Sequence, residues 1–191
     1  MPHEPMPYEI VPAVPGDGPS LHALAAVTFH DACPPGTDRA VSDAHVAREL
    51  SAERFESWLA DPRYHLLVLL ASPVEQGKAS PAGYAMLVQD EPIRGTVPAK
   101  QAVAGHRGAT WFLSKLYVHP DHRGTGAASR LLEASKHLAA ESGATRLWLT
   151  VNQLNARANA FYERSGLGIV GTATFPMGNM VHDDFVRLTR L

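Results

Sequence analysis

The chain has 191 residues, with 17 basic and 19 acidic side chains and a formal net charge of −2. This length suits one domain, residues 1–191, with a core large enough to fold alone, and the balanced charge predicts no nucleic-acid partner. The single cysteine, Cys33, excludes an intramolecular disulfide and fits a reducing compartment, which predicts a cytoplasmic protein with an inert thiol.

The N-terminal part of the chain begins with a proline-containing stretch and continues with a strand and helices. Residues 1–7 lack the charged and apolar regions of a signal peptide, so a flexible tail is expected. Residues 8–13 predict a strand, and residues 19–31 and 42–60 have the apolar spacing of helices. Ser51 interrupts the second helical segment and predicts a fresh helix start.

A hairpin and a long connection come next. Residues 64–71 form a continuous apolar run that predicts a buried strand, and residues 82–90 predict its partner in the hairpin. Residues 92–109 contain glycine and proline without apolar periodicity, so a long loop is expected, either a flap that faces a substrate or a neutral insertion. No apolar run is long enough to span a membrane, so no membrane partner is expected.

The second half of the chain predicts a strand–helix–strand unit followed by further elements. Strand 110–118 and helix 126–141 precede a strand at 146–151, so the two strands should run parallel. Strands at 167–175 and 183–190 close the chain as a hairpin. The element order β-α-α-β-β-β-α-β-α-β-β predicts an α+β fold with three layers, in which a mixed sheet of six to seven strands carries helices on both faces.

The connection between strand 110–118 and helix 126–141 has the composition of a phosphate-binding loop. Gly124 and Gly126 stand among small residues, so backbone N–H groups can approach a phosphate closely. The helix that follows directs the positive end of its dipole at the same place. Neither a Walker A loop nor a complete dinucleotide fingerprint is present, and an ordinary strand-to-helix turn is the remaining alternative.

Two sequence motifs lie on either side of strand 146–151. The first is Arg-x-x-Gly-x-Ala, formed by Arg123, Gly126 and Ala128 and preceded by Val-x-Pro. The second is Asn-x-x-Ala-x-x-Phe-Tyr-Glu-Arg-x-Gly, which begins at a good helix N-cap, Asn155. In this order the motifs resemble those of the GCN5-related N-acetyltransferases (the GNAT superfamily). The resemblance covers about half of the chain closely and implies the GNAT fold.

The resemblance also implies acetyl-CoA as co-substrate and no metal ion. In that family the two parallel strands separate at their C-terminal ends, the acyl-pantetheine lies between them, and a strand N–H near Leu116 or Tyr117 stabilises the oxyanion. Tyr162 is implied to be the catalytic acid that protonates the leaving thiolate, while Asn155 binds the pantetheine. The implied acetyl-CoA contacts are Leu116, Tyr117, Val118, Arg123, Gly124, Thr125, Gly126, Ala127, Ala128, Ser129, Asn155 and Tyr162.

The acceptor is the less defined substrate. The Leu-Ser-Lys-Leu-Tyr-Val strand around Lys115 and the tail 175–184 resemble the PaiA-type bacterial subgroup, which includes spermine/spermidine N-acetyltransferases. This resemblance implies a primary amine of a small molecule, with a polyamine as one candidate. Basic side chains in segment 92–109 disfavour a polycation and favour an acceptor with a carboxylate or phosphate. A protein or peptide amine and a non-catalytic CoA-binding sensor stay open as alternatives, as do a monomer and a homodimer. These basic residues are Arg94, Lys100, His106 and Arg107.

The general base and the roles of Lys115 and Arg164 stay open at this stage. Lys115 stands in a strand that is predicted to be buried, so its ammonium needs a partner, and a structural ion pair is expected. Arg164 either reaches the cofactor phosphates or is a solvated surface residue. A water relay is the alternative to a protein base, whose candidates are His30, Asp31, Asp90 and Glu91.

Overall fold

The computed structural model describes residues 8–71, 80–102, 108–177 and 180–191, so the predicted tail 1–7 lies outside the described residues. The strands are β1 (Tyr8–Pro12), β2 (Tyr64–Ala71), β3 (Ser80–Val88), β4 (Ala109–Val118), β5 (Ala144–Asn152), β6 (Gly168–Met177) and β7 (Met180–Arg190). The helices are α1 (Gly18–Thr28), α2 (Arg39–Glu49), α3 (Ala52–Leu59), α4 (Val97–Gln101), α5 (Ala127–Glu141) and α6 (Ala156–Arg164).

The described strands form one mixed sheet in the order β1-β2-β3-β4-β5-β7-β6. Its neighbouring strands pair antiparallel except β4 and β5, which are parallel because α5 carries the chain from one to the other. The closing hairpin is also present, with β6 paired antiparallel to β7. The predicted α+β fold with a mixed sheet is therefore confirmed, and the sheet has seven strands.

Apolar side chains from both faces of the sheet pack under separate helices. On one face Leu131 and Leu132 of α5 are fully buried in a cluster with Trp111 and Leu147. On the other face the helices α1 to α3 form a second cluster, which includes Phe55 together with sheet residues. This arrangement gives the three predicted layers, since each face of the sheet must cover its apolar side chains.

Helix boundaries in the N-terminal half follow local capping chemistry. Ser51 caps α3, because its hydroxyl oxygen accepts a hydrogen bond from the backbone N–H of Arg54 at 3.2 Å. The helical segment 42–60 is therefore two helices that divide at Ser51, as expected, and the first of them begins earlier, at Arg39. Helix α1 ends at Thr28, three residues earlier than predicted, and a short 3₁₀ turn follows. The extended backbone of Cys33 ends that turn, as expected of a residue that precedes a proline.

Segment 92–109 differs from the predicted long loop. It contains the five-residue helix α4, in which Ala99 is fully buried and packs with Ile93 and Trp148. The backbone N–H of Thr96 also donates to the carbonyl oxygen of Thr172 at 2.9 Å, which fastens the segment to β6. A helix this short has no room for a repeating apolar pattern, so periodicity could not reveal it.

Candidate active site

The strands β4 and β5 separate partway along their length, as the resemblance implied. Their pairing ends at Phe112 and Trp148, so β4 has no β5 partner from Leu113 to Val118. Against β3, the register moves from Leu87–Leu113 to Met86–Lys115, which leaves Ser114 as the extra residue of a β-bulge. A cavity of about 580 Å³ lies in the opening and is lined by residues of both strands.

The predicted phosphate loop lies at one end of this cavity. Gly124 and Gly126 have positive φ values of 78° and 87°, a conformation that glycine adopts without steric cost, and α5 begins at the next residue, Ala127. Backbone N–H groups at the start of α5 have no partner within the helix, so they are available to an anion. The loop residues on the cavity wall are Arg123, Gly124, Gly126, Ala127, Ala128 and Ser129.

Thr125 is the one predicted cofactor residue that does not line the cavity. Its hydroxyl donates to the carbonyl oxygen of His122 at 2.7 Å and lies 2.7 Å from the Tyr8 hydroxyl. The side chain therefore fastens the loop to β1.

Arg123 lines the cavity but uses its guanidinium within the protein. Its Nη1 donates to Oδ2 of Asp31 at 2.6 Å, and its Nε donates to the carbonyl oxygen of Val118 at 3.2 Å. The hydrogen bond from Arg123 holds the pKa of Asp31 below its ordinary value. Asp31 is thus an ionised, paired carboxylate that anchors the loop to the segment after α1.

The four acidic or histidine side chains considered as general bases all lie away from the cavity wall. His30 contacts the Ser42 hydroxyl at 2.8 Å, and Asp31 is paired with Arg123. Asp90 and Glu91 border a separate, shallow depression beside Lys100 and Gly108. The described residues of segment 92–109 also contribute nothing to the cavity wall, so the substrate flap, one of the two alternatives for this segment, is not found among them.

Tyr162 lies on the cavity wall and is almost fully buried. Asn155 begins its helix, with the side-chain oxygen accepting from the backbone N–H of Ala158 at 3.0 Å. Burial raises the pKa of Tyr162 above its ordinary value, and the positive charge of Arg187 opposes that rise. The phenol is therefore protonated at neutral pH and available as a hydrogen donor.

The wall opposite α6 contains the free part of β4. Leu116, Tyr117 and Val118 all line the cavity. The Tyr117 ring packs against Tyr84 at a centroid distance of 5.5 Å and against Phe29 at 6.4 Å. Its side chain is therefore part of the core, which leaves its backbone as the group that faces a ligand.

Arg187 positions α6 and was missed by sequence reasoning. It is 3% exposed, and its Nη1 donates to the carbonyl oxygen of Leu167 at 2.8 Å. Its Nε donates to Asn159 Oδ1 at 3.2 Å, while Asn159 Nδ2 donates to the Asn152 carbonyl at 2.9 Å. These bonds connect α6 to Asn152 at the end of β5 and to Arg187 of β7, and thereby help to position the helix that carries Tyr162.

His182 and Asp184 are two further buried polar residues on the cavity wall that the sequence did not reveal. They are two positions apart on β7, so they share one face of the strand. Burial raises the pKa of Asp184, while the Thr150 side chain and the charge of His182 oppose the rise. The signal in the sequence was weak, because a His-x-Asp pair in a terminal strand is ordinarily solvent-exposed.

Lys115 has no carboxylate within salt-bridge distance among the described residues, so the expected ion pair is wrong. Its ammonium instead lies 4.5 Å from the ring centroid of Trp58, a cation–π contact. Burial lowers the pKa of Lys115 to about 8. Cys33 also lines the cavity, and burial raises its pKa to about 11, so the thiol stays protonated.

Metal-binding and membrane-spanning features are absent from the part of the chain that the structure describes. Across residues 8–71, 80–102, 108–177 and 180–191, no three His, Cys, Asp or Glu side chains come together as ion ligands would. In the same ranges no helix combines the length and the apolar character needed to cross a bilayer.

Comparisons with known proteins give a consistent family. Residues 29–167 match the family described as the acetyltransferase (GNAT) family. An uncharacterised N-acetyltransferase of Mycobacterium tuberculosis is 38% identical over 181 residues, which cover 92% of this chain and 98% of that protein. A thialysine N-epsilon-acetyltransferase of Bos taurus is 26% identical over 117 residues, which cover 60% of this chain and 62% of that protein.

A solved structure has the same fold. It is a PaiA N-acetyltransferase from Thermoplasma acidophilum in complex with coenzyme A, with a TM-score of 0.71 and 14% sequence identity. The alignment covers 97% of this chain and 100% of the other. At this identity the likeness concerns the fold, and it agrees with the seven-stranded sheet and its separated central strands.

Proposed function

Since the chain belongs to the acetyltransferase (GNAT) family and is therefore an N-acetyltransferase, we propose that it moves an acetyl group from acetyl-CoA to a primary amine of a small molecule. Transfer is by direct attack of the amine in a ternary complex. One observation carries this proposal: a single cavity contains the free stretch of β4, the glycine loop at the start of α5, and Tyr162.

The donor site is the part of the cavity nearest α5. The backbone N–H groups of Ala127 and Ala128 have no partner within α5 and lie at the positive end of its dipole, where the pyrophosphate binds. Gly124 and Gly126 before them let the pyrophosphate approach the backbone closely. The pantetheine amides pair with the backbone of Leu116 to Val118, whose edge is not used by β5. Asn155 keeps its side-chain nitrogen for the pantetheine, because its oxygen caps α6.

The chemistry follows from the two walls of the cavity. The neutral amine attacks the thioester carbonyl, and a backbone N–H of β4 near Leu116 stabilises the oxyanion that forms. When the C–S bond breaks, Tyr162 donates its phenolic proton to the sulfur. The raised pKa of Tyr162 suits this role, because the group must be protonated before the thiolate leaves.

Two observations support a small acceptor. The cavity of about 580 Å³ is within the range of small-molecule sites, and the pantetheine must share it. Apolar side chains from two separate parts of the chain line it, Phe29 and Cys33 after α1 and Phe175 and Met177 of β6, as is usual for a small-molecule site. The relative named for thialysine adds support for a small primary amine, and a polyamine stays among the candidates.

The test measures thiol release from acetyl-CoA with thialysine, spermidine and a short peptide with a free N-terminus. We expect release with at least one small amine and little with the peptide. Release with the peptide alone would overturn the small-molecule acceptor. Tight acetyl-CoA binding without thiol release from any amine would identify a non-catalytic CoA-binding sensor instead.

A further inference from the structure

We propose that Asp184 is the general base of the reaction and accepts the proton of the acceptor ammonium. This inference rests on the proposed function and adds a residue to it. Asp184 is 7% exposed and lines the cavity that also contains Tyr162. Among the described residues, it is the only carboxylate on the cavity wall.

The position of Asp184 in the sheet places it at the open end of the two separated strands. On β7 it lies opposite Asn152, the last residue of β5, well beyond Trp148, where β4 and β5 part. On the other side it lies opposite Ala173 of β6. Burial raises the pKa of Tyr117 on β4, and the charge of Asp184 makes a small further contribution to this rise.

Asp184 lacks a cationic partner in the structure. No Lys or Arg nitrogen of the described residues lies within 4.0 Å of its carboxylate. A buried carboxylate without a counter-charge is costly, and an ammonium bound in the cavity supplies that charge. The buried Nε2 of nearby His182 likewise has no hydrogen-bond partner in the described residues, so it is also available to a bound ligand.

The titratable groups around Asp184 come from three elements. His182 and Asp183 belong to its own strand, Tyr117 faces it from β4, and Tyr162 adds its phenol from α6. Burial raises the pKa of Asp184, which makes the carboxylate a stronger proton acceptor. The Thr150 side chain, the charge of His182 and the Asn152 side chain each hold the pKa down, so together they limit how far it rises.

The proton balance of the reaction closes with two protein groups. One N–H bond of the ammonium breaks, its proton passes to Asp184, and the freed electron pair forms the C–N bond. The C–S bond then breaks, its electron pair stays on sulfur, and Tyr162 protonates the thiolate. The second proton leaving the nitrogen restores the Tyr162 phenol, and the proton on Asp184 passes to solvent. The products are the N-acetylated amine and the CoA thiol.

Two variants of the site and one matched control test this role. With thialysine or spermidine as acceptor, we expect Asp184→Asn to lower kcat by about 10²–10⁴-fold while the affinity for acetyl-CoA is kept. Thr150→Val removes the hydroxyl but keeps the shape, so the acidic limb of the kcat/KM profile should move to higher pH. Asp183→Asn, on the exposed face of the same strand, should keep the wild-type kcat. Because the charge of Asp183 adds to the raised pKa of Asp184, its loss should move the acidic limb to lower pH, opposite to Thr150→Val.

Each result decides between roles. A kcat for Asp184→Asn within about twofold of wild type, or a rise in KM alone, would overturn the proton-transfer role. An unmoved acidic limb in Thr150→Val would do the same, and that variant keeps the test valid should Asp184→Asn fail to fold. Failure of the proposed function looks different, because the wild-type enzyme itself then releases no thiol with any amine, and both proposals fall.

Discussion

Arg123 and Asp31 form an ion pair, with Arg123 Nη1 at 2.6 Å from Asp31 Oδ2, although they are 92 positions apart in the chain. The pair joins the predicted cofactor loop to the segment that follows α1. That segment also lines the cavity through Phe29 and Cys33. The ion pair therefore joins the predicted cofactor loop to another part of the cavity wall.

The ion pair should make stability depend on pH. The pKa of Asp31 is lower in the folded protein than its ordinary value of 3.8, so the pair stabilises the fold above that pH. This contribution is lost as the pH falls through the lowered pKa. Both side chains are partly exposed, so we expect Asp31→Asn to lower the free energy of unfolding at pH 7 by less than about 1 kcal/mol.

Chemical denaturation at pH 7 and pH 3 checks this expectation. A double-mutant cycle with Arg123→Gln separates the pair from the second bond of Arg123, which goes to the Val118 carbonyl. The coupling energy should be smaller at the lower pH, where more of the Asp31 carboxyl is protonated. A coupling energy of equal size at both pH values would show that the carboxylate charge is not what stabilises the contact.

Gly126→Asp should weaken acetyl-CoA binding. Nothing lies within 4 Å of a Cβ built at Gly126, so the change meets no steric clash within the protein. It introduces a carboxylate at the start of α5, where the pyrophosphate is expected to bind, at a φ of 87°. Asn tolerates this backbone conformation better than most residues, so Gly126→Asn is the control for charge.

Calorimetry with acetyl-CoA on the folded variants measures the effect. We expect Gly126→Asp to bind at least about tenfold more weakly than Gly126→Asn, which corresponds to about 1.4 kcal/mol. Equal affinities for the two variants would mean that no phosphate lies beside this residue.

Tyr162→Phe should lower turnover while acetyl-CoA affinity stays the same. The ring that packs in the cavity wall is kept, and only the phenolic proton is lost. Acid–base groups typically contribute about 10²–10⁴-fold to kcat. Tyr84→Phe is the matched control, because Tyr84 is also a fully buried tyrosine but does not line the cavity.

Steady-state kinetics with an accepted amine gives the comparison. Tyr84→Phe should keep the wild-type kcat, and it removes a hydroxyl that has no hydrogen-bond partner among the described residues. Should Tyr162→Phe turn over as fast as Tyr84→Phe, the thiolate takes its proton from elsewhere.

The site could be predicted from the sequence where the chemistry is carried by local motifs. Gly124 and Gly126 need their positive φ values to shape the loop, and Asn155 caps α6 directly before the residues it positions. Such requirements are met within a few neighbouring residues, so they leave a readable pattern. For the same reason Ser51 revealed the break between α2 and α3.

The parts that sequence reasoning missed depend on contacts between distant elements. Asp184 reaches the cavity only because β7 pairs with β5, so its isolated strand gives no sign of burial. Arg187 holds α6 through Asn159 and Leu167, a set brought together by the fold. Lys115 contacts Trp58, which belongs to another element. Because Trp58 is uncharged, the pattern of charges in the sequence cannot reveal this partner.

Lys115→Met should stabilise the protein most at and below neutral pH. The pKa of Lys115 falls from its ordinary 10.5 to about 8, chiefly through burial and next through the charge of Arg54. Below pH 8 the folded protein must hold a buried ammonium, which the cation–π contact with Trp58 only partly offsets. From pH 8 to pH 10.5 the unfolded chain binds more protons than the folded one, so the wild-type stability rises.

The stability gap between Lys115→Met and wild type should therefore narrow across that pH range, as measured by chemical denaturation at pH 7 and pH 10.5. Lys100→Met is the control, because Lys100 is exposed and its ammonium is hydrated in both states. The difference in free energy of unfolding between Lys100→Met and wild type should not change with pH. If the difference in free energy of unfolding between Lys115→Met and wild type is also constant with pH, the Lys115 ammonium has enough solvent or counter-charge to stay ionised without cost. The cation–π contact with Trp58 would then lie at the protein surface.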